Sequence, residues 1–213
     1  MKLSGPSLVP PTVKKIVVFL HGLGANGDDL ISLADEFAPD LPDTAFYSPN
    51  APFPCDMAPY GYQWFSLQQR VEEIMLAGIK TAAPILNTYL DDLLKEHNLK
   101  PKDLALVGFS QGTMMSLYVA PRRPERIAGV VGYAGALIAP ELLQKEVASK
   151  PPICLIHGDA DMVVPYEAMS SAEVALEYNQ IPCESHTRPY LGHGIDGEGI
   201  DIARKFLKRR LYS

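Results

Sequence analysis

The sequence predicts an α/β fold in which a mostly parallel central sheet is covered by helices on both faces. Short apolar runs alternate with longer stretches of helical periodicity, as in proteins built from successive β-α-β units. Several apolar runs are rich in Val, Ile and Leu without alternation, which is typical of strands buried on both faces. The 213 residues are expected to form one domain, 1–213, because the chain can bury a substantial core and contains no low-complexity linker.

Strands are predicted where apolar runs are bounded by turn residues, at Lys15–Leu20, 45–48, Leu104–Phe109, Gly129–Tyr133, 153–157 and 185–190. Helices are predicted between them, at 28–38, 71–97, 111–120, 140–148, 165–179 and Gly197–Leu211. Pro84 interrupts the second helix. We expect it either to kink this helix or to mark the true start of its second half.

Residues 49–65 differ from the rest of the chain, with four prolines and five aromatic residues. Proline lacks the amide donor that a regular ladder requires, so the segment is predicted to be an ordered loop rather than a strand or helix. Two interpretations of its aromatic surface stay open. The loop either caps the core or forms one wall of an apolar substrate channel.

Composition and charge exclude several classes of protein. The net charge of -6 argues against a face that binds duplex nucleic acid, which needs clustered Lys and Arg. The three cysteines, Cys55, Cys154 and Cys183, are too few and scattered for a disulfide framework and form no C-x-x-C pair for zinc. No signal peptide is evident and no apolar run reaches the length of a membrane span. We therefore expect a cytoplasmic protein without stable membrane insertion.

Gly108, Ser110 and Gly112 form a Gly-x-Ser-x-Gly motif between an apolar run and a helical stretch. A strand, a sharp turn and a helix are the context of a nucleophile elbow, in which the turn strains the backbone of the serine and exposes its hydroxyl. The two glycines remove side chains that would collide in so tight a turn. Ser110 is therefore the predicted nucleophile.

The predicted acid is Asp161, in the loop that follows the apolar run 153–157. A serine hydroxyl is a poor nucleophile at neutral pH, so it needs a histidine base and a carboxylate that orients the histidine. On this architecture the chain order is serine, acid, histidine, and loops after later strands supply the last two. Asp161 is preferred because an apolar pair follows it and can fix it against the core. Asp159 is the alternative, but it suits turn hydrogen bonds better.

The predicted base is His193, which lies between two glycines in the loop after the last predicted strand. Glycine on both sides lets the backbone carry the imidazole toward the nucleophile. His157 is interpreted as a strand-end residue and His97 as a residue near a helix C-terminus. His186 falls inside a predicted strand, and His21 precedes the nucleophile, which is the wrong order.

The backbone amides of Leu23 and Gln111 are the predicted donors to the negative oxygen that develops during acyl transfer. Gln111 directly follows the predicted nucleophile, and Leu23 lies in a glycine-containing loop after an early predicted strand. The alternative for this loop is a glycine-rich turn without a catalytic role. A phosphate-binding loop is not expected, because no Lys-Ser or Lys-Thr pair follows these glycines.

Four motifs together resemble those of the phospholipase/carboxylesterase family of α/β-hydrolases, which includes acyl-protein thioesterases. They are Leu-His-Gly-Leu-Gly at 20–24, Gly-Phe-Ser-Gln-Gly at 108–112, His-Gly with Asp161 and Val-Pro within 157–165, and Gly-His at 192–193. The resemblance spans nearly the whole chain and implies an α/β-hydrolase fold. It also implies a serine hydrolase that uses no cofactor and no metal. Members of the family are often homodimers, so the resemblance implies that state as well.

The resemblance also places a loop or lid segment, about residues 49–76, over an acyl pocket. The lining that it implies is formed by apolar side chains of this segment: Trp64, Phe65, Leu67, Ile74, Met75 and Leu76. The first two match the family's Trp-Phe-Asp segment, but Ser66 stands where relatives carry the aspartate. A role that depends on that carboxylate is therefore not carried over to this chain.

These observations predict a serine hydrolase that cleaves short- to medium-chain carboxyl esters, and also thioesters, through an acyl-serine intermediate. The partner would be a small acyl ester or thioester and not a nucleic acid. The alternative within this class is an acyl-protein thioesterase or lysophospholipase that prefers long chains. The alternative outside it is a non-catalytic binding protein with a hydrolase-like fold.

Overall fold

The computed structural model describes residues 2–212, and its strands alternate with helices along most of the chain. The strands are β1 Ser7–Leu8, β2 Lys15–Leu20, β3 Thr44–Tyr47, β4 Phe53–Pro54, β5 Tyr62–Gln63, β6 Leu104–Phe109, β7 Gly129–Tyr133, β8 Ile153–Gly158 and β9 Cys183–Arg188. The α-helices are α1 Gly27–Ile31, α2 Leu33–Phe37, α3 Glu72–Glu96, α4 Gln111–Val119, α5 Pro140–Glu146, α6 Glu167–Tyr178 and α7 Gly197–Leu211. Single 3₁₀ turns cover Ala38–Asp40, Pro101–Asp103 and Ala120–Arg122.

Seven of the strands form one sheet in the order β1-β3-β2-β6-β7-β8-β9. All neighbours pair in parallel except β1, which is antiparallel to β3. Successive residues of a strand point to opposite faces, so Val18 of β2 joins one buried cluster and Val17 the other. Helices α3 to α6 cover the first face and α1, α2 and α7 the second. The predicted α/β-hydrolase architecture is therefore confirmed.

The predicted boundaries match best where the sequence pattern is strongest. Strands β2, β6 and β7 and helix α7 have the predicted limits. The last strand of the sheet is Cys183–Arg188 rather than 185–190, because its register is set by pairing with β8 and the chain turns at Tyr190, whose φ is +59°. The predicted helix 28–38 is divided at Ser32 into α1 and α2, and Asn26 caps the first of them.

The prediction that residues 49–65 contain no regular element is wrong in one respect. Strands β4 and β5 form a short antiparallel ladder in which Pro54 faces Tyr62. A ladder of two residues per strand tolerates the missing proline donor, since edge positions need not be hydrogen-bonded on both sides. Tyr62 also exchanges backbone hydrogen bonds with the 20–25 segment, donating to Ala25 at 2.8 Å and accepting from Gly24 at 2.9 Å. The ladder thereby fixes the segment to the loop after β2.

Helix α3 runs without interruption through Pro84. The expectation that Pro84 marks the start of a separate second half is therefore wrong. The buried stripe formed by Ile79, Leu86 and Leu90 continues across the proline and packs in the core. The Thr88 hydroxyl donates to the Pro84 carbonyl at 2.9 Å. Tertiary packing of this stripe outweighs the local cost of the missing hydrogen bond.

Glycine is required where α4 begins, because the helix lies directly against the sheet there. A Cβ at Gly112 would overlap the Leu20 carbonyl of β2, and one at Gly108 would collide with the backbone of Gly112 and Thr113. The two glycines of the elbow therefore permit the close approach of helix and strand that the motif predicts. The close approach of α4 to the sheet also fixes the position of Ser110, which directly precedes the helix.

The variant Gly112→Ala is expected to lower the free energy of unfolding by about 1–3 kcal/mol, because its methyl group has no room beside Leu20. Denaturant unfolding followed by circular dichroism measures the change. Gly197→Ala is the matched control, since nothing lies within 4 Å of a Cβ at that position. The control should stay within about 0.5 kcal/mol of the parent protein. Equal stability of the two variants would contradict the packing argument.

Candidate active site

Ser110 lies at the sharp turn between β6 and α4. Its φ of +54° and ψ of −114° are strained values for a residue with a side chain. The Ser110 amide donates to the Tyr133 carbonyl at 2.9 Å, and the Thr113 hydroxyl donates to the same oxygen at 2.8 Å. The end of β7 therefore holds the turn in its strained form.

An imidazole and a carboxylate meet beside this turn. His193 lies in the loop after β9 and Asp161 in the loop after β8, and His193 Nδ1 is 2.8 Å from Asp161 Oδ2. The other carboxylate oxygen, Oδ1, accepts the amides of Val163 at 2.8 Å and Val164 at 3.0 Å. An ionised carboxylate only accepts, so Nδ1 of His193 carries a proton, and the neutral form of this tautomer has its lone pair on Nε2.

The environment of Asp161 favours the ionised carboxylate. Burial by itself would raise its pKa, but hydrogen bonds from His193, Val163 and Val164, together with the charge of His193, hold the pKa below its ordinary value. Asp161 therefore stays negatively charged at neutral pH. A permanent negative charge beside the imidazole stabilises its protonated form during proton transfer.

The alternative carboxylate, Asp159, is placed differently. Its side chain is exposed and accepts the Tyr190 amide at 2.7 Å, as expected for a turn residue. The geometry therefore favours Asp161 as the partner of His193.

Ser110 and His193 line the same cavity, which has a volume of about 390 Å³. The Phe109 ring lies against the His193 ring, with 4.9 Å between the ring centroids. Among the hydrogen bonds of residues 2–212 there is none between the Ser110 hydroxyl and His193. Catalytic hydrogen bonds are often long without substrate and shorten in the complex, so this arrangement is compatible with proton transfer.

The predicted oxyanion donors are close to Ser110 in the fold, since Gln111 follows it directly and Leu23 lines the same cavity. Leu23 borders the cavity, and Gln111 is the first residue of α4. Neither amide has an acceptor among the hydrogen bonds of the described residues, and the first amides of a helix are free to bind an anion. Both are therefore available to a negative oxygen near Ser110.

The side chain of Gln111 has a function that the sequence did not indicate. It is fully buried, its Oε1 accepts the Trp64 amide at 2.8 Å, and its Nε2 donates to the Phe65 carbonyl at 2.7 Å. One residue thus begins helix α4 and fastens the segment 49–76 to it. A buried amide side chain with two backbone partners is recognisable only once the chain is folded.

His21 links the loop after β2 to the same segment. Its Nδ1 donates to the Gly22 carbonyl at 2.7 Å and its Nε2 accepts the Ala51 amide at 2.9 Å. Burial lowers the pKa of His21, so the imidazole is neutral, as both contacts require. His21 therefore shapes the loop that carries Leu23, and it does so as a structural residue.

The predicted acyl-pocket residues separate into two groups. Leu67 and Met75 line the cavity. The other four do not: Trp64 and Phe65 are buried in the core, Leu76 packs against the core, and Ile74 is 41% exposed. The opposite wall includes residues that the sequence analysis did not select, among them Met114, Ile138, Val163 and Val164, and Arg70 adds a cation. The sequence offered no signal for these, because they come from four separate segments.

Trp64 favours the core-capping interpretation of its segment over the channel wall. Its side chain is 0% exposed, and its indole Nε1 donates to the His21 carbonyl at 3.0 Å. A tryptophan completely enclosed in this way contributes to folding and not to substrate contact.

One group of side chains among residues 2–212 could hold a metal ion, and it lies at β8 and β9, away from the cavity. Cys154, Glu184 and His186 have their ligand atoms within 4.8 Å of one another. The Glu184 carboxylate is already held by the Arg209 guanidinium at 2.8 and 3.1 Å. Burial raises the pKa of the Cys154 thiol well above its ordinary value. Both features compete with metal binding.

Within residues 2–212, none of the helices has the length and apolar composition needed to span a bilayer.

A strained serine after one parallel strand, with an imidazole–carboxylate pair after two later strands, is the organisation of an α/β-hydrolase. The chain belongs to the phospholipase/carboxylesterase family, whose sequence model matches residues 10–211. This assignment confirms the resemblance noted from the motifs.

Individual relatives are esterases and thioesterases by name. The crystal structure of esterase PE8 is similar at 43% sequence identity with a TM-score of 0.95, and the match covers 99% of this chain and 100% of that one. Acyl-protein thioesterase 1 of Schizosaccharomyces pombe is 32% identical over 89% of this chain and 88% of its own length. Esterase YpfH of Escherichia coli is 27% identical over 92% and 82%, respectively. The chain therefore belongs to a hydrolase family that contains both kinds of enzyme.

The variant Trp64→Ala is expected to lower the free energy of unfolding by about 3–5 kcal/mol, because it leaves a cavity in the core and an unpaired His21 carbonyl. Chemical denaturation measures the loss. Tyr60→Ala in the same segment is the control, since Tyr60 is 76% exposed. A small loss for Trp64→Ala, similar to that of the control, would contradict the core role.

Proposed function

We propose that this protein is a serine hydrolase that cleaves short- to medium-chain carboxyl esters, and also thioesters, through an acyl-serine intermediate. The observation that carries the proposal is the contact of 2.8 Å between His193 and Asp161 at the cavity that also exposes Ser110. Membership of a family of esterases and thioesterases supports the reaction class.

In the proposed mechanism, Ser110 Oγ attacks the acyl carbonyl carbon while His193 Nε2 accepts the hydroxyl proton. Asp161 orients the imidazole and stabilises its positive charge. The amides of Leu23 and Gln111 bind the oxyanion of the tetrahedral intermediate. This intermediate collapses when the C–O or C–S bond to the leaving group breaks, and His193 returns the proton to that group. Water then attacks the acyl-serine carbonyl carbon while His193 Nε2 accepts its proton. The ester C–O bond to Ser110 breaks, His193 returns the proton to Ser110 Oγ, and the carboxylic acid is released.

The chain-length preference is proposed from the cavity. Its volume of about 390 Å³ is near the lower end of the usual range for small-molecule sites, roughly 300–1,000 Å³. Its wall is mostly apolar, which suits an alkyl chain. The second candidate is an acyl-protein thioesterase that prefers long chains, and the name of the S. pombe relative favours the thioesterase class. The cavity as it stands fits the shorter substrates better.

The variant Ser110→Ala is expected to reduce hydrolysis of p-nitrophenyl butyrate by roughly 10⁶-fold, because it removes the nucleophile and leaves only the oxyanion donors. Steady-state kinetics measures the loss. A fluorophosphonate probe should label the parent protein and not the variant.

Ser171→Ala is the matched control for that experiment, since Ser171 is exposed on α6 and outside the cavity. It should keep both activity and labelling. Hydrolysis by Ser110→Ala at the rate of the control would refute the proposed nucleophile. A parent protein that the probe leaves unlabelled would favour the non-catalytic binding protein.

The variant Met75→Ala is expected to shift the preference toward longer acyl chains, because it enlarges the apolar wall of the cavity. The ratio of kcat/KM for the octanoate and butyrate esters should rise by about tenfold, the usual effect of one or two methylene groups in an apolar pocket. A chain-length series measures the ratio. Ile74→Ala is the control, because Ile74 is adjacent in sequence but does not line the cavity. If both variants shift the ratio equally, the cavity is not the acyl site.

A further inference from the structure

His157 is a buried histidine that the proposed mechanism does not use, although it lies beside the predicted acid. It is the penultimate residue of β8 and is 2% exposed. Its Nε2 is 3.0 Å from the Val164 carbonyl oxygen and 3.2 Å from Asp161 Oδ2. Both neighbours are acceptors, so Nε2 carries a proton and donates it to Val164. The positive end of this N–H group therefore lies against the carboxylate.

Val164 connects His157 to the carboxylate by a second route. While its carbonyl accepts from His157, its amide donates to Asp161 Oδ1 at 3.0 Å. Its side chain borders the cavity. Within residues 2–212, His193 and His157 are the two side chains at hydrogen-bond or ion-pair distance from Asp161. The buried imidazole of His157 is thus coupled to the Asp161 carboxylate, to the loop that carries Asp161 and, through Val164, to the cavity wall.

We propose that His157 is a positioning residue for the acid–base pair. It fastens residues 161–165 around Asp161, and its N–H dipole moderates the negative charge that Asp161 presents to His193. The inference rests on the proposed function, because it assigns His157 a role toward those two residues. A weaker negative charge on Asp161 stabilises the protonated imidazole less, so the enzyme should keep its activity to lower pH.

The other titratable and charged groups around His157, Asp161 and His193 are hydrogen-bonded or paired elsewhere, or lie on another segment. None of them takes the positioning role. Directly before α6, the Tyr166 ring packs edge-on against His157, with 6.1 Å between centroids, and its hydroxyl is hydrogen-bonded to Thr187. On β9, the Arg188 guanidinium is paired with Asp196 and Glu198. Asp159 accepts the Tyr190 amide, and Arg70 shares the cavity with His193 from the opposite segment.

The test compares His157→Leu, which removes the donor, with His157→Gln, whose amide can reach the same acceptors. For His157→Leu, we expect kcat for p-nitrophenyl butyrate to fall about tenfold with KM within about twofold, the kinetic equivalent of losing one contact to a charged group. The acid limb of the profile of kcat/KM against pH should move to higher pH by about half a unit, since Asp161 then stabilises the protonated His193 more. His157→Gln should restore most of kcat and the position of the acid limb.

Melting temperatures of all variants separate this role from a purely structural one. If His157→Leu lowers the melting temperature but keeps the parent kcat and acid limb, the inference is overturned. If His157→Leu does not fold, His157→Asn replaces it, because the shorter amide cannot reach Val164. Equal acid limbs for the Asn and Gln variants would then overturn the inference.

Failure of the proposed function gives a different result. A parent protein that neither hydrolyses esters nor reacts with the fluorophosphonate probe overturns both proposals. If the parent protein is active and labelled at Ser110, but replacing His157 does not move the acid limb of the pH profile, this inference alone is overturned.

Discussion

The arrangement of the site depends on the close approach of α4 to the sheet. With glycine at 112, the first turn of the helix can lie against the Leu20 carbonyl, and every residue of α4 is then buried. The strained backbone of Ser110 costs on the order of 1–3 kcal/mol. Burial of the helix and the two hydrogen bonds to the Tyr133 carbonyl offset this cost. The same approach places the start of α4 against the Leu20 and His21 carbonyls, directly before the loop that carries Leu23.

Buried polar side chains then hold the surrounding loops at fixed positions. Gln111 fastens Trp64 and Phe65, and His21 fastens Ala51, each through direct hydrogen bonds to the backbone. Such contacts are strong inside a protein because water does not compete for them. They explain how a segment rich in proline and aromatic residues becomes part of the core while Leu67, further along, reaches the cavity.

On the other side of the cavity, the Asp161 carboxylate holds the neighbouring backbone and the His193 side chain in place. Asp161 gathers two backbone amides and the His193 imidazole, and these contacts lower its pKa in spite of burial. A carboxylate whose two oxygens accept these hydrogen bonds is fixed in orientation as well as in protonation state. The buried imidazole of His157 in β8 also contacts the Asp161 carboxylate. The carboxylate therefore links this buried residue to His193 at the cavity.

The sequence by itself determined the fold class, the nucleophile motif and the loops that carry Asp161 and His193, because these depend on local patterns. Runs of β-branched residues mark strands buried on both faces, and a serine between glycines marks a strained turn. Only the tertiary structure decided that Trp64 is enclosed in the core while Met114 lines the cavity, and that α3 continues through Pro84. The physical reason is that burial and hydrogen-bond partners come from segments distant in sequence, so no local pattern records them.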